Sequence, residues 1–117
     1  MLRIFPVAAS GDPKYSDDFA ASRGTRTHQG IDIFAAAGTP VFAVQDGGVR
    51  AELDPRGGTV VWLIGTDARH YYYAHLQAVE GPMPRAVAVG DVIGRVGSTG
   101  NAAGKSPHLH FQIHGID

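Results

Sequence analysis

Along most of the chain, apolar residues come in short runs rather than at helical spacing. Eight of these runs, "IDIF", "PVFAV", "GVRAEL", "TVVWLI", "RHYYYAHL", "AVAV", "DVIGRV" and "HLHFQI", are rich in β-branched and aromatic residues and lie between turn residues. Strands of this length at about 8 to 12 residue spacing predict an all-β fold, a sandwich or barrel-like pair of sheets. The last run alternates. If Ser106 to His114 is extended, His108, His110, Gln112 and His114 share one face while Leu109, Phe111 and Ile113 share the other. One face is then core and the other polar. The only segment the pattern offers as a helix is "KYSDDFAAS".

At 117 residues the chain has the size of one ordinary domain, so residues 1–117 are expected to form a single unit. Its 16 glycines are dispersed, which fits many tight turns between the strands. Ten Lys and Arg against 11 Asp and Glu, with no run of like charge, leave no footprint for nucleic acid or an anionic membrane. Cysteine is absent, which removes disulfides, thiolate nucleophiles and cysteine-type zinc sites together. Any metal must be held by histidine and carboxylate. No apolar run approaches the roughly 20 residues of a membrane span, and "MLRIFPVAAS" is too short and too interrupted by Pro6 for the apolar region of a signal peptide.

Three clusters carry candidate chemistry. In "SPHLHFQIH", His108 and His110 are about 6.6 Å apart on one strand face, a spacing that suits either a polar outer face or two imidazoles aimed at one metal. His114 is about 13 Å beyond His110 and is expected to be dispensable. In "THQGIDIF", His28 and Asp32 would be about 13 Å apart on a straight strand, so a shared ion requires a bend, which Gly30 makes cheap. The bland reading is a loop histidine beside a turn-stabilising aspartate. In "YYYAHLQ", strand alternation puts His75 on the face of Tyr71 and Tyr73 and puts His70 on the opposite one. The three tyrosines read as cross-strand packing, and His70 as a surface residue near a turn.

Two apparent motifs fail. "GNAAGKS" lacks the first glycine of a phosphate-binding loop, since position 99 is threonine, and Pro107 follows where a helix should begin. The only glutamates, Glu52 and Glu80, lie beside no histidine pair, so there is no H-E-x-x-H metal site with a glutamate base.

Taken in order and at these separations, "HQGIDI", "AAAGTPVFAVQDGGV", "YYYAHL" and "VGDVIGRVGSTGNAAGKSPHLHF" resemble the lysostaphin-like, or LytM-type, zinc metallopeptidases of family M23. The resemblance runs from about Phe5 to Ile113. It implies a compact antiparallel β fold of the LytM, or duplicated hybrid motif, type. It also implies Zn²⁺ held by His28, Asp32 and His110, and a catalytic pair formed by His75 and His108. Members of the family cut peptide bonds in bacterial peptidoglycan, either stem-peptide cross-links or glycine bridges, or in glycine-rich proteins. The resemblance thus points to a peptidoglycan peptide as substrate, a site of action outside the cytoplasm and a chain that works as a monomer. Many members carry further domains, whereas this chain reads as a minimal catalytic domain. Some relatives have lost their zinc ligands and only activate other wall hydrolases; all five expected site residues are present here.

The pattern "GTPVFAVQDGGV" also resembles biotinyl and lipoyl carriers and a two-histidine sugar phosphotransferase domain. The only lysines, Lys14 and Lys105, sit in loops without the hairpin that a carrier needs, and phosphotransfer leaves Asp32 and the third site histidine without a role.

Overall fold

The computed structural model describes residues 4–8 and 30–115. Each of the eight apolar runs carries a strand: β1 (Ile31–Phe34), β2 (Pro40–Phe42), β3 (Gly47–Asp54), β4 (Gly58–Gly65), β5 (His70–Val79), β6 (Arg85–Val87), β7 (Val92–Val96) and β8 (His108–His114). A single 3₁₀ turn, Gly100–Ala102, interrupts the connection from β7 to β8. The helix expected over "KYSDDFAAS" falls outside the described residues.

All the strand pairs are antiparallel, in the order β1-β8-β5-β4-β3-β6, and β2 joins through β7 to β5. β5 is the hub. Residues His70 to Ala74 pair with β8, whereas from Leu76 onward the same strand pairs with β7, and its register against β4 also slips there. One strand therefore serves two neighbours along one edge, and the sheet branches there, β8 and β1 on one arm and β7 and β2 on the other. This is the antiparallel β fold that the sequence pattern and the family resemblance lead one to expect.

The alternation in β8 is realised. Leu109 and Phe111 are fully buried and Ile113 packs against the same core, which also holds Ile33 from β1, Leu63 from β4 and Tyr71, Tyr73 and Leu76 from β5. Fully burying apolar side chains of this size is worth about 1.5–3 kcal/mol each, and this is what keeps β8 between β1 and β5.

Tyr73 adds a polar clamp inside that core. Its hydroxyl donates to the Phe42 carbonyl at 3.0 Å and accepts from the Val44 N–H at 3.1 Å, which ties β5 to the end of β2. Burial pushes the Tyr73 phenol well above its ordinary range, so the hydroxyl stays protonated and can serve both bonds. Tyr73→Phe keeps the ring and leaves these two backbone groups short of a partner. It is expected to destabilise the fold by about 1–3 kcal/mol, read as a lower urea midpoint at unchanged m-value.

Candidate active site

The site begins with a register. In the pairing of β1 with β8, Asp32 stands opposite His110 and Phe34 opposite His108, and side chains directly across an antiparallel pair share a face. Asp32 Oδ1 consequently lies 2.6 Å from His110 Nδ1 and 4.0 Å from His108 Nε2. The bend expected at Gly30 is present: its φ of +75° is in the left-handed region. A Cβ at this position would sit 2.5 Å from the Phe111 carbonyl oxygen and 3.2 Å from His110 Nε2, so glycine is also required for β1 to approach β8 so closely.

His75 departs from the expected parity. Alternation would place it on the core face with Tyr71 and Tyr73, but it lines the groove with Tyr72 and Ala74. The reason is local: His75 has φ +66°, at the step where β5 changes partner and the ladder slips. A left-handed non-glycine residue costs about 1–3 kcal/mol and persists only where its surroundings hold it. Here the His75 N–H donates to the Gly57 carbonyl at 2.7 Å. Next to it, Thr99 Oγ1 donates to the Leu76 carbonyl at 2.8 Å and accepts from the Thr59 N–H at 3.1 Å. His70, by contrast, is exposed and pairs with His114 and Ile64 at the start of β5, as a surface residue should.

Backbone carbonyls set the tautomers of two of the histidines. His75 Nδ1–H donates to the Thr99 carbonyl at 2.7 Å, and His108 Nδ1–H donates to the Ser106 carbonyl at 2.9 Å. A carbonyl can only accept, so each of these imidazoles keeps its proton on Nδ1 and presents the lone pair of Nε2 when neutral. The two buried rings meet edge to face with centroids 5.0 Å apart, and the His110 ring is 6.2 Å from His75. Desolvation, more than the neighbouring His108 and His110, pulls the His75 pKa below its ordinary value, against the raising effect of the Thr99 carbonyl.

Asp32, His75, His108 and His110 all line one open groove of about 550 Å³. Tyr72, Gln112, Arg56 and Lys105 line it too. The packing expected of all three tyrosines holds for Tyr71 and Tyr73, which are core, whereas Tyr72 faces the groove with its ring edge-on to His110 at 6.4 Å. Period-2 alternation separates Tyr72 from the other two, but only the bulge after it puts Tyr72 and His75 on one side. Gln112 shares the His110 face by the same alternation and is hydrogen-bonded to it, its Nε2 lying 2.9 Å from His110 Nε2. His114 is not isolated either: its Nε2 is 2.8 Å from Gln112 Oε1. His28 lies outside the described residues. Among those described, no three His, Asp or Glu side chains form a metal-holding group by themselves; Asp32 and His110 are a pair.

Residues 26–117 match Peptidase family M23. The chain belongs to this family. It is similar to the glycyl-glycine endopeptidase ALE-1 of Staphylococcus capitis, with 38% identity over 73% of this chain and 24% of that protein. It is also similar to the catalytic domain of lysostaphin from Staphylococcus simulans, at 35% identity and a TM-score of 0.68 over 77% of this chain and 70% of that one. A zinc-containing peptidase from Vibrio cholerae superposes with a TM-score of 0.67 at 30% identity, over 74% of this chain and 26% of that one. The chain thus spans about a quarter of the length of ALE-1. The fold likeness to these two solved structures agrees with the antiparallel β architecture described above.

The depressed pKa of His75 has a stability consequence with a definite sign. Below about pH 6.5 the unfolded chain takes up this proton while the folded one resists it, so the contribution falls as pH drops through that value. Zinc-free wild type is expected to lose more stability between about pH 7.5 and pH 5.5 than His75→Asn, a variant chosen because asparagine tolerates positive φ. Urea titrations at the two pH values give the difference.

Proposed function

We propose that the protein is a zinc-dependent endopeptidase that hydrolyses peptide bonds of bacterial cell-wall peptidoglycan and acts outside the cytoplasm. The observation that carries this reading is the convergence in one groove of an Asp–His donor pair and two further imidazoles of fixed tautomer. The donors fit zinc. Nitrogen and oxygen donors of Asp32 and His110 face each other across two strands in a chain without cysteine, and a third ligand from His28 completes the three-residue set that leaves a catalytic zinc one open position. When bound there, zinc would supply Lewis-acid polarisation of the scissile carbonyl and a pKa near about 7 for water.

The remaining work falls to the protein's own groups. Peptide hydrolysis must take a proton from water and give one to the leaving amine. No glutamate lines the groove, and Asp54, which does, is committed to the N–H groups of Arg56 and Gly57 at 3.0 and 2.6 Å. His75 and His108 are therefore the proton carriers and oxyanion partners, each able to accept at Nε2 and return the proton from the same atom. Their Nδ1–H bonds to carbonyls hold the rings in place during that exchange.

The groove also bears on the substrate. Arg56 and Lys105 line it, while the neighbouring Asp54 is occupied by backbone. These two cations can pair with free carboxylates, which peptidoglycan stem peptides have and glycine bridges lack. Stem-peptide cross-links are the preferred target.

The roles separate by mutation. His110→Ala is expected to lose zinc and activity together, whereas His108→Ala keeps zinc and loses about 10²-fold or more in rate; zinc content and peptide cleavage measured on the same preparations check this. The reverse pattern would exchange the roles of the two histidines. For the substrate, purified sacculi with direct cross-links and walls with glycine bridges are digested and the new termini identified by mass spectrometry. New ends within stem peptides are expected. Cleavage confined to glycine bridges would overturn the substrate assignment, and release from neither wall would favour a non-catalytic activator.

A further inference from the structure

Gln112 is in neither the H-x-x-x-D nor the H-x-H motif, yet it is the residue that holds the far side of His110. Its side chain stands in a fixed place. Gly30 leaves it room, since a Cβ there would be 2.5 Å from Gln112 Cγ. Tyr72, opposite it on β5, turns its ring edge to His110. From this position Gln112 joins two imidazoles, with His110 Nε2 at 2.9 Å and His114 Nε2 at 2.8 Å.

The hydrogen-bond directions along this line are coupled. Without metal, His110 Nδ1–H donates to Asp32 Oδ1, so His110 Nε2 carries a lone pair; the Gln112 amide NH₂ donates to it, and Gln112 Oε1 accepts from His114 Nε2–H. Every donor has an acceptor. If His110 gives the Nδ1 lone pair to a metal, its ring proton must sit on Nε2, where an NH₂ group cannot accept it. An amide carries a donor and an acceptor at equal reach, so a half-turn about its last bond presents oxygen to His110 Nε2–H and NH₂ to His114 Nε2.

We propose that Gln112 is the positioning residue for His110, and that its amide turns over when the metal site fills, switching His110 from the Nδ1–H to the Nε2–H tautomer. The inference rests on the zinc reading above and extends it to a residue that acts through its hydrogen bond to His110. Partners of this kind fix the orientation and tautomer of a ligand histidine, and their loss typically costs about 10- to 100-fold in metal affinity. A glutamate at this place could accept from His110 Nε2–H but could not donate to the other tautomer.

The test uses the full chain and Zn²⁺ alone. Zinc affinity is measured by competition with a chelating dye for wild type, Gln112→Leu and Gln112→Glu, and long-range ¹⁵N NMR reads the His110 tautomer with and without zinc. Wild type is expected to show Nδ1–H when metal-free and Nε2–H when loaded. Gln112→Leu should bind zinc about 10- to 100-fold more weakly, and Gln112→Glu should recover affinity to within a few-fold of wild type. Gln112→Ala serves in place of leucine if that variant does not fold. Wild-type affinity in Gln112→Leu, or equal weakness in Gln112→Leu and Gln112→Glu, would overturn the proposal, as would one His110 tautomer in both states of wild type. Failure of wild type itself to bind zinc would instead overturn the zinc reading.

Discussion

The arrangement of the site depends on a break in one strand. β5 must pair with β8 along its first half and with β7 along its second, and a regular strand cannot turn from one neighbour to the other without a step in its ladder. The step is taken at His75, whose positive φ is held by the Gly57 carbonyl and by the loop that carries Thr99. The same step that lets β5 change partner lifts an imidazole out of the core face and into the groove. The change of strand partner and the placement of this histidine are one event.

That coupling explains why some of the site was legible in the sequence and some was not. The eight apolar runs became eight strands because each has enough β-branched or aromatic residues to fill one face of a pleated sheet. The face shared by His108, His110 and Gln112 followed from alternation alone, and the turn at Gly30 followed from the demand that the chain bend there. The direction of His75 did not follow, because a bulge inverts parity and its cause lies far along the chain, at Gly57 and Thr99. Tyr72, before the bulge, follows alternation, and the reading of all three tyrosines as packing passes over it. The meeting of Arg56 and Lys105 at one groove could not be read either, since only the folded loops bring them there. The grouping of Asp32, His75, His108 and His110 came from resemblance to a family; spacing by itself left each cluster with a structural reading at least as good as the chemical one.

Within the groove the protein assigns protons by geometry. Two carbonyls, from Ser106 and Thr99, each take an Nδ1–H and so leave the lone pair of the neutral ring on Nε2. His110 is treated differently: its Nδ1 faces a carboxylate and its Nε2 an amide. Of the four hydrogen bonds that orient these three histidines, the two on His75 and His108 run to main-chain carbonyls. Such bonds depend on the backbone path more than on any neighbouring side chain, which makes the arrangement tolerant of surface change.

Asp32 comes from β1, a four-residue strand at the end of the sheet path, with β8 as its only strand neighbour among the described residues. The three groove histidines come from strands further in. Edge strands of this length open locally at far lower cost than the body of a sheet, so undocking β1 would withdraw the carboxylate while leaving the imidazoles in place. A ligand held jointly by Asp32 and His110 spans this seam and favours the docked state by mass action. In hydrogen-exchange terms, the amides of β1 should then report on occupancy more sensitively than those of β5, and a short edge seam becomes the gauge of the protein's centre.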